Sequence, residues 1–260
     1  MVSSVPVILI PTTAGSGSEC SQVSVITRTE DHTKPSIFMR STLAIVDPEL
    51  TLSVPAGVTA HSGMDAFSHE VEAITAKGRN PRSELLASAC LEKIRENLPK
   101  AIENGNDLAA RTELCLAANW AGIAFTDTDL HLGHNLADGL SATFHTPHGY
   151  NCILVEPELM KLCASVIPDK VAVVGKGAGA AFDGTETSAG IGEKTAAAIR
   201  SLMKTCGIPT PESLGLDREK FIGSAAIAMQ IDLGLRLNCP VDVDEEIMRT
   251  IYAGAYDNYR

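Results

Sequence analysis

The chain has 260 residues, 45% of them hydrophobic, and a formal net charge of −11, material for one large domain or two modest ones. It holds no run of about 18 apolar residues, so no membrane-spanning helix is expected. The acidic balance, without a basic patch, argues against nucleic acid or an anionic membrane surface as partner. Seven cysteines lie scattered with no C-x-x-C pair, a pattern of reduced, mostly buried thiols in a cytoplasmic protein rather than a disulfide frame or a thiolate zinc site. The opening MVSSVPVILIPTT lacks the basic flank and cleavage pattern of a signal peptide.

In chain order, Val5–Ile10 reads as a short apolar strand, followed by the turn-rich TTAGSGSE from Thr12 to Glu19. Val23–Thr27 and Ser36–Met39 read as strands flanking a charged hairpin, RTEDHTK, and Leu43–Val46 as a fourth, closed by Asp47-Pro48. From Thr59 the apolar spacing becomes helical. Asn80-Pro81-Arg82-Ser83 opens a helix running to about Glu103, with proline at its start. Asp107 to about Phe125 makes another, a third surrounds His134, and NCILVEPELMKLCA carries a fourth after His148-Gly149. Several more fill the last hundred residues, divided by Gly207-Ile208-Pro209 and Asn238-Cys239-Pro240. The predicted fold is mostly α: a short strand-rich α/β piece over residues 1–54 leads into an all-helical domain over 55–260. Three or four strands form only a sheet fragment with open edges, so further sheet is expected ahead of residue 1.

The chemistry-bearing residues cluster. Asp65 and His69 stand four apart and share one helix face. His134 and His148 are separated by Thr146-Pro147 and cannot share one unbroken helix. Three segments converging on one cation account for this spacing, and one carboxylate with three imidazoles suits Fe²⁺ or Zn²⁺ better than Mg²⁺ or Ca²⁺. The alternative is a polar network satisfied without metal, which needs many well-placed partners. His61, His131 and His145 are further candidates near the substrate or behind the ligands. IPTTAGSGSE presents backbone N–H groups and hydroxyls able to hold a phosphate, a weak signal in isolation. VAVVGKGAGA, Val171 to Ala180, matches G-x-G-x-x-G/A, but its flanks read as helical. Gly184, Gly190 and Gly192 make the next segment a poor helix start, so the motif reads as a loose helix end and surface loop.

Over essentially its whole length the chain resembles the iron-containing (group III) alcohol dehydrogenases. IPTTAGSGSE is similar to the family's IPTTAGTGSE; DPELTLSVPAGVTAHSGMDAFSHEVEA resembles the passage holding its first two ligands. AGIAF and HTPHG resemble the passages flanking the last two, and NCPVDVDEEIMRTIYAGAY the terminal helix. The resemblance implies Fe²⁺, or zinc in some members, on Asp65, His69, His134 and His148, acting on a substrate oxygen while hydride passes to or from NAD(P). It further implies that Thr12, Thr13 and the turn Gly15, Ser16, Gly17 touch the dinucleotide, that Lys34 reaches it, that Leu52 packs by the nicotinamide, and that Phe125 lines the substrate pocket. The small-molecule substrate would be an alcohol or aldehyde.

Three departures qualify this. The family's N-terminal nucleotide-binding half, with its GGGS-x-x-D loop, has no counterpart here, so the chain is expected to be truncated or to need that half from elsewhere. Asp138, four after His134, stands where many relatives carry a histidine credited with proton relay; a carboxylate there can relay a proton at a different pH. TDTDLHLGH is expected to bring Asp127, Asp129 and His131 beside the pocket. Alcohol dehydrogenase chemistry leads; a deficient metal-binding remnant and a metal hydrolase using Asp138 as base are the alternatives. A homodimer through the exposed sheet edge is also expected.

Overall fold

The computed structural model describes residues 5–26 and 36–260; the predicted RTEDHTK hairpin, including Lys34, lies outside them. The strands are shorter than the hydrophobic runs suggest and do not merge into one sheet. β1 (Ile8–Leu9) pairs in parallel with β4 (Leu43–Ala44), while β2 (Val23–Val25) pairs antiparallel with β3 (Ser36–Phe38) in register Val23↔Phe38. A 3-10 turn, Pro48–Thr51, capped by the Asp47 side chain, leads into the helices.

Among the described residues there are ten helices: α1 (Ala56–Thr75), α2 (Pro81–Glu103), α3 (Leu108–Thr128), α4 (Leu132–Phe144), α5 (His148–Cys163), α6 (Pro168–Gly177), α7 (Ser188–Thr205), α8 (Arg218–Ala228), α9 (Leu233–Asn238) and α10 (Glu245–Asp257). Their starts are written locally. Asn80 accepts from the Arg82 and Ser83 amides while Ser83 reaches back to the Asn80 amide, a reciprocal cap. Asp107, Thr187, Asp217 and Asp244 cap α3, α7, α8 and α10. The glycine-rich stretch ahead of Thr195 makes a poor helix start by sequence, yet α7 begins at Ser188. The Thr187 hydroxyl caps it, and a Cβ on Gly192 would stand 3.0 Å from Lys161 Cα, so this glycine serves close packing on α5. Val171 to Gly177 lies within helix α6, not a strand–turn–helix, as the helical flanks predict.

α1 is the spine, packing against α2, α3 and α5. From Gly63 to Thr75 every residue is buried, and a helix buried all round must bury its polar residues too. Ser68 and Thr75 satisfy themselves by donating back to the Met64 and Val71 carbonyls, at 3.0 and 2.8 Å. Asp65, His69, Glu70 and Glu72 need partners from elsewhere. α5 approaches α1 closely because residue 149 is glycine: a Cβ there would lie 2.1 Å from the His61 carbonyl oxygen and 2.8 Å from Asp65 Cβ. His145, left-handed at φ 55°, ends α4, and Pro147 precedes α5. This turn lets α4 and α5 present His134 and His148 to one space, on two helices as the Thr146-Pro147 break requires.

Candidate metal centre

Four donor atoms, from Asp65, His134, His148 and Cys152, lie within 4.8 Å of one another. His134 Nε2 is 4.0 Å and His148 Nε2 3.7 Å from Asp65 Oδ1, and Cys152 Sγ is 3.5 Å from His148 Nε2. The nitrogen–oxygen gaps are too long for hydrogen bonds. They match two ligands of one cation, since donors bound at about 2.0–2.2 Å stand roughly 3.3–4.2 Å apart. His69, the fourth predicted ligand, stands beside this set: its ring stacks on His134 with centroids 4.8 Å apart and touches Phe125 at 4.7 Å.

The residues fit a divalent cation. Among the described residues, Asp65 Oδ1, His69 Nδ1 and His134 Nε2 are buried without a hydrogen-bond partner. Leaving such groups unpaired is costly, and a cation is what a carboxylate oxygen and imidazole nitrogens share as acceptors. Burial raises the Asp65 carboxyl, but His69, His148 and His134 together outweigh it and hold it low. Burial drives His69 down to about 4 against the pull of Asp65, keeping that imidazole neutral with a lone pair available.

Behind the donors lies a buried carboxylate layer invisible to the sequence reading. His134 Nδ1 donates to Glu72 Oε1 at 2.5 Å, and the His131 amide donates to Glu72 Oε2. Burial lowers His134 but Glu72 raises it to about 9, so a cation would displace a proton from Nε2, which faces Asp65, while the carboxylate on Nδ1 orients the ring as in metal-binding histidines. Burial pushes Glu72 and Glu156 upward alike; Glu72 is held ionised by His134 and His131, and Glu156, beside it, is left well above the carboxylate range. Burial and the neighbouring Glu72 charge both act to raise Glu156. Glu72 is three residues beyond His69 on the same buried face, and Cys152 four beyond His148. Those spacings were the available signals, but a glutamate or cysteine so spaced is commonplace.

Asp138, one turn after His134 on α4, has Oδ1 3.8 Å from His148 Nδ1 and is partly exposed. Phe125 is buried against His69. The trio expected beside the pocket makes its contacts apart from the donor atoms. His131 is fully buried and its Nε2–H donates to Thr75 Oγ1 at 2.8 Å, because that hydroxyl already donates to Val71. Asp127 pairs with Arg82 at 3.2 Å, and Asp129 sits exposed at the end of α3. His61 is half-buried beside Tyr150, and His145 is exposed.

Of the residues the resemblance assigns to the dinucleotide, Thr12, Thr13 and Ser16 are exposed, whereas Gly15 and Gly17 are buried. Gly17, at φ 59°, meets Gly122 of α3: a Cβ on Gly122 would lie 2.2 Å from the Gly17 carbonyl oxygen. Leu52 is half-buried just past the 3-10 turn. A cleft of about 200 Å³ bordered by Cys20, Arg40, Arg82 and Asp127 involves none of the donor residues.

A buried carboxylate–imidazole cluster able to hold a divalent cation stands at the meeting of three helices. The chain belongs to the iron-containing alcohol dehydrogenase family: the C-terminal model of the Fe-containing alcohol dehydrogenase family matches residues 59–256, and the iron-containing alcohol dehydrogenase model residues 1–48. It is 35% identical over 209 residues to the NAD-dependent methanol dehydrogenase of Bacillus methanolicus, covering 79% of this chain and 55% of that protein. To the 1,3-propanediol dehydrogenase of Klebsiella pneumoniae it is 33% identical, covering 86% and 59%. An alcohol dehydrogenase from Oenococcus oeni superimposes with TM-score 0.88 at 30% identity, covering 98% of this chain and 68% of that one. The chain spans about half the length of the curated relatives it matches. The mostly helical architecture is that of the family's C-terminal domain. Among the described residues no helix is long and apolar enough to cross a membrane.

Proposed function

We propose that this chain carries the metal- and substrate-binding part of a cytoplasmic oxidoreductase interconverting an alcohol and an aldehyde or ketone with NAD(P). Residues 55–260 form the catalytic helical domain, and 1–54 belong with the dinucleotide. The observation that carries the reading is the convergence of the partnerless Asp65 Oδ1 and His134 Nε2 with His148. Asp65, His69, His134 and His148 would hold Fe²⁺ or Zn²⁺, which supplies Lewis-acid polarisation of the substrate oxygen while the nicotinamide exchanges hydride.

The chain's own groups do the rest. Glu72 fixes the ring of His134. Phe125, against His69, lines the substrate side and excludes water. Asp138, partly exposed and close to His148, takes and returns the hydroxyl proton between the site and solvent. The Thr12, Thr13 and Gly15–Gly17 turn, with Lys34 and Leu52, meets the dinucleotide. Metal analysis checks the reading: about one Fe²⁺ or Zn²⁺ per chain, lost in His134→Ala and His148→Ala. A wild-type chain without stoichiometric metal after reconstitution sinks it.

A second reading is favoured by the exposed apolar side chains of the strands, Ile8, Val25 and Phe38 among them: the chain binds metal but needs a separate nucleotide-binding half. NADH titration separates the two. Binding by the chain alone supports the first; binding only after an N-terminal half is added supports the second.

A further inference from the structure

We propose that Asn151 is the positioning residue of His148: its side-chain amide clasps the turn between α4 and α5 and so fixes where that imidazole meets the cation. The inference rests on the metal-centre reading above and adds to it the means by which one ligand is held. Three observations carry it.

The first is the exposure of His148. Its side chain is 39% exposed, against 6% for His134 and 11% for Asp65. Packing on all sides holds those two, whereas His148, at the first position of α5, depends on the backbone that presents it. That backbone leaves α4 at the left-handed His145 and enters α5 through Pro147, which offers no side-chain cap to the new helix.

The second is the bonding of Asn151. Thr146 Oγ1 donates to Asn151 Oδ1 at 2.6 Å, and Asn151 Nδ2 donates to Ser141 Oγ at 2.9 Å and to the Thr146 carbonyl at 3.3 Å. The Ser141 hydroxyl donates onward to the Ala137 carbonyl at 2.9 Å. One amide thus ties the end of α4, the connecting turn and the first turn of α5 together. An amide carries both an acceptor and two donors on one short side chain, and this clasp uses both kinds.

The third is the residue type. Asparagine is a poor helix former, because its amide competes with the backbone, and burying it is costly unless its polar atoms are bonded. Asn151 is 1% exposed inside α5, so its gain comes from the turn and not from the helix it belongs to. Without the clasp, the turn shifts and His148 leaves its place 3.7 Å from Asp65 Oδ1. Asp65, His69 and His134, buried on α1 and α4, keep theirs.

Zinc binding by the full chain tests this, with affinity read by competition with a chelator and the imidazole neighbours counted by X-ray absorption. Asn151→Ala and Thr146→Val should bind zinc about 10-fold more weakly, with one imidazole neighbour fewer than the wild type. Thr146→Ser, which keeps the hydroxyl, should match the wild type. A lowered urea midpoint with affinity and imidazole count unchanged overturns the inference, since the clasp then serves stability alone. If Asn151→Ala does not fold, the Thr146 pair decides: equal affinities in Thr146→Val and Thr146→Ser overturn it, and a loss confined to Thr146→Val sustains it. A wild type that binds no zinc overturns the metal-centre reading and this inference with it, a result distinct from the other two.

Discussion

The helical body and the N-terminal strand segment solve the burial problem in opposite ways. In the body, α1 is enclosed so fully that Phe67 and Met64 are completely buried, and even its acids and histidines are inside. In the strand segment, two-residue and three-residue strands leave Val25 61% and Phe38 70% exposed. The segment reaches the body through narrow contacts: Gly15 against Ser62, Gly17 against Gly122, and Asn119 Nδ2 donating to Glu19 Oε1 at 3.0 Å. The difference teaches where each function can reside. A cluster of orphaned donor atoms has to sit where water is excluded and neighbouring helices fix every rotamer. A turn that offers N–H groups and hydroxyls to a phosphate has to stay exposed.

Truncation in the core should have the largest effect. Phe67→Ala should destabilise the chain by about 3–5 kcal/mol, read as a lowered urea midpoint with loss of bound metal, since Phe67 lies between Asp65 and His69. A loss under about 1 kcal/mol would mean that α1 is not the spine. Next is the joint between the regions. Gly122→Ala places a Cβ against the Gly17 carbonyl and should cost about 1–3 kcal/mol by overpacking, displacing the turn. NADH binding, in whichever form of the protein shows it, should weaken while metal content stays at the wild-type level. Loss of both together would show that the two regions are not separable.

Within the body, Glu72→Gln tests the carboxylate layer. The amide keeps the shape but can turn an N–H toward His134 Nδ1, so the Nε2 lone pair is no longer enforced. Metal affinity should fall about 10–100-fold, measured by competition with a chelator, with the helical circular dichroism unchanged. Unaltered affinity would reduce Glu72 to a packing residue.

A smaller effect is expected where α8 meets α10. Arg218 holds Asp257 through Nε and Nη2 at 2.9 and 2.6 Å, and that bond keeps the Asp257 carboxyl below its ordinary value. A depressed folded-state value means that the pair stabilises above the unfolded value of about 3.9. The contribution is lost as pH falls through the folded value. Below pH of about 4 the melting temperature of the wild type should therefore approach that of Asp257→Asn. Both side chains are about a third exposed or more, so the difference at neutral pH is modest. A gap that persists undiminished at low pH would rule out this origin.

What can be read from sequence depends on the range of the interactions. Asn80 to Ser83 announce α2 because a cap is complete within four residues. Asp65 and His69 announce a shared face because helical spacing is local, and the Thr146-Pro147 break separates His134 from His148. The start of α7 is not legible, because Gly192 exists for its contact with Lys161, which only the tertiary fold supplies. Nor is the carboxylate layer: Glu72 and Glu156 are buried because the helices around α1 and α5 enclose them, which only the tertiary fold supplies. Asp127, Asp129 and His131 make contacts the sequence does not announce for a related reason. Adjacent residues around a helix end point in different directions, and the φ of 60° at Asp129 sends the chain away before His131 turns inward to Thr75.

The smallest expected effect lies at the strands, and it tests the comparison from its other side. Phe38 stands opposite Val23 in β3, and its aromatic ring is mostly in water. An exposed side chain forfeits little when replaced, so Phe38→Ser should change stability by no more than about 0.5 kcal/mol, against several for Phe67. A face holding Phe38 and Val25 is nevertheless a surface onto which a further chain can add. Sedimentation velocity should show any self-association of the wild type reduced by Phe38→Ser, with the unfolding midpoint held. A loss of several kcal/mol instead would place Phe38 in a core of its own, and the strand segment would then be a folded unit and not a strip leaning on the helices.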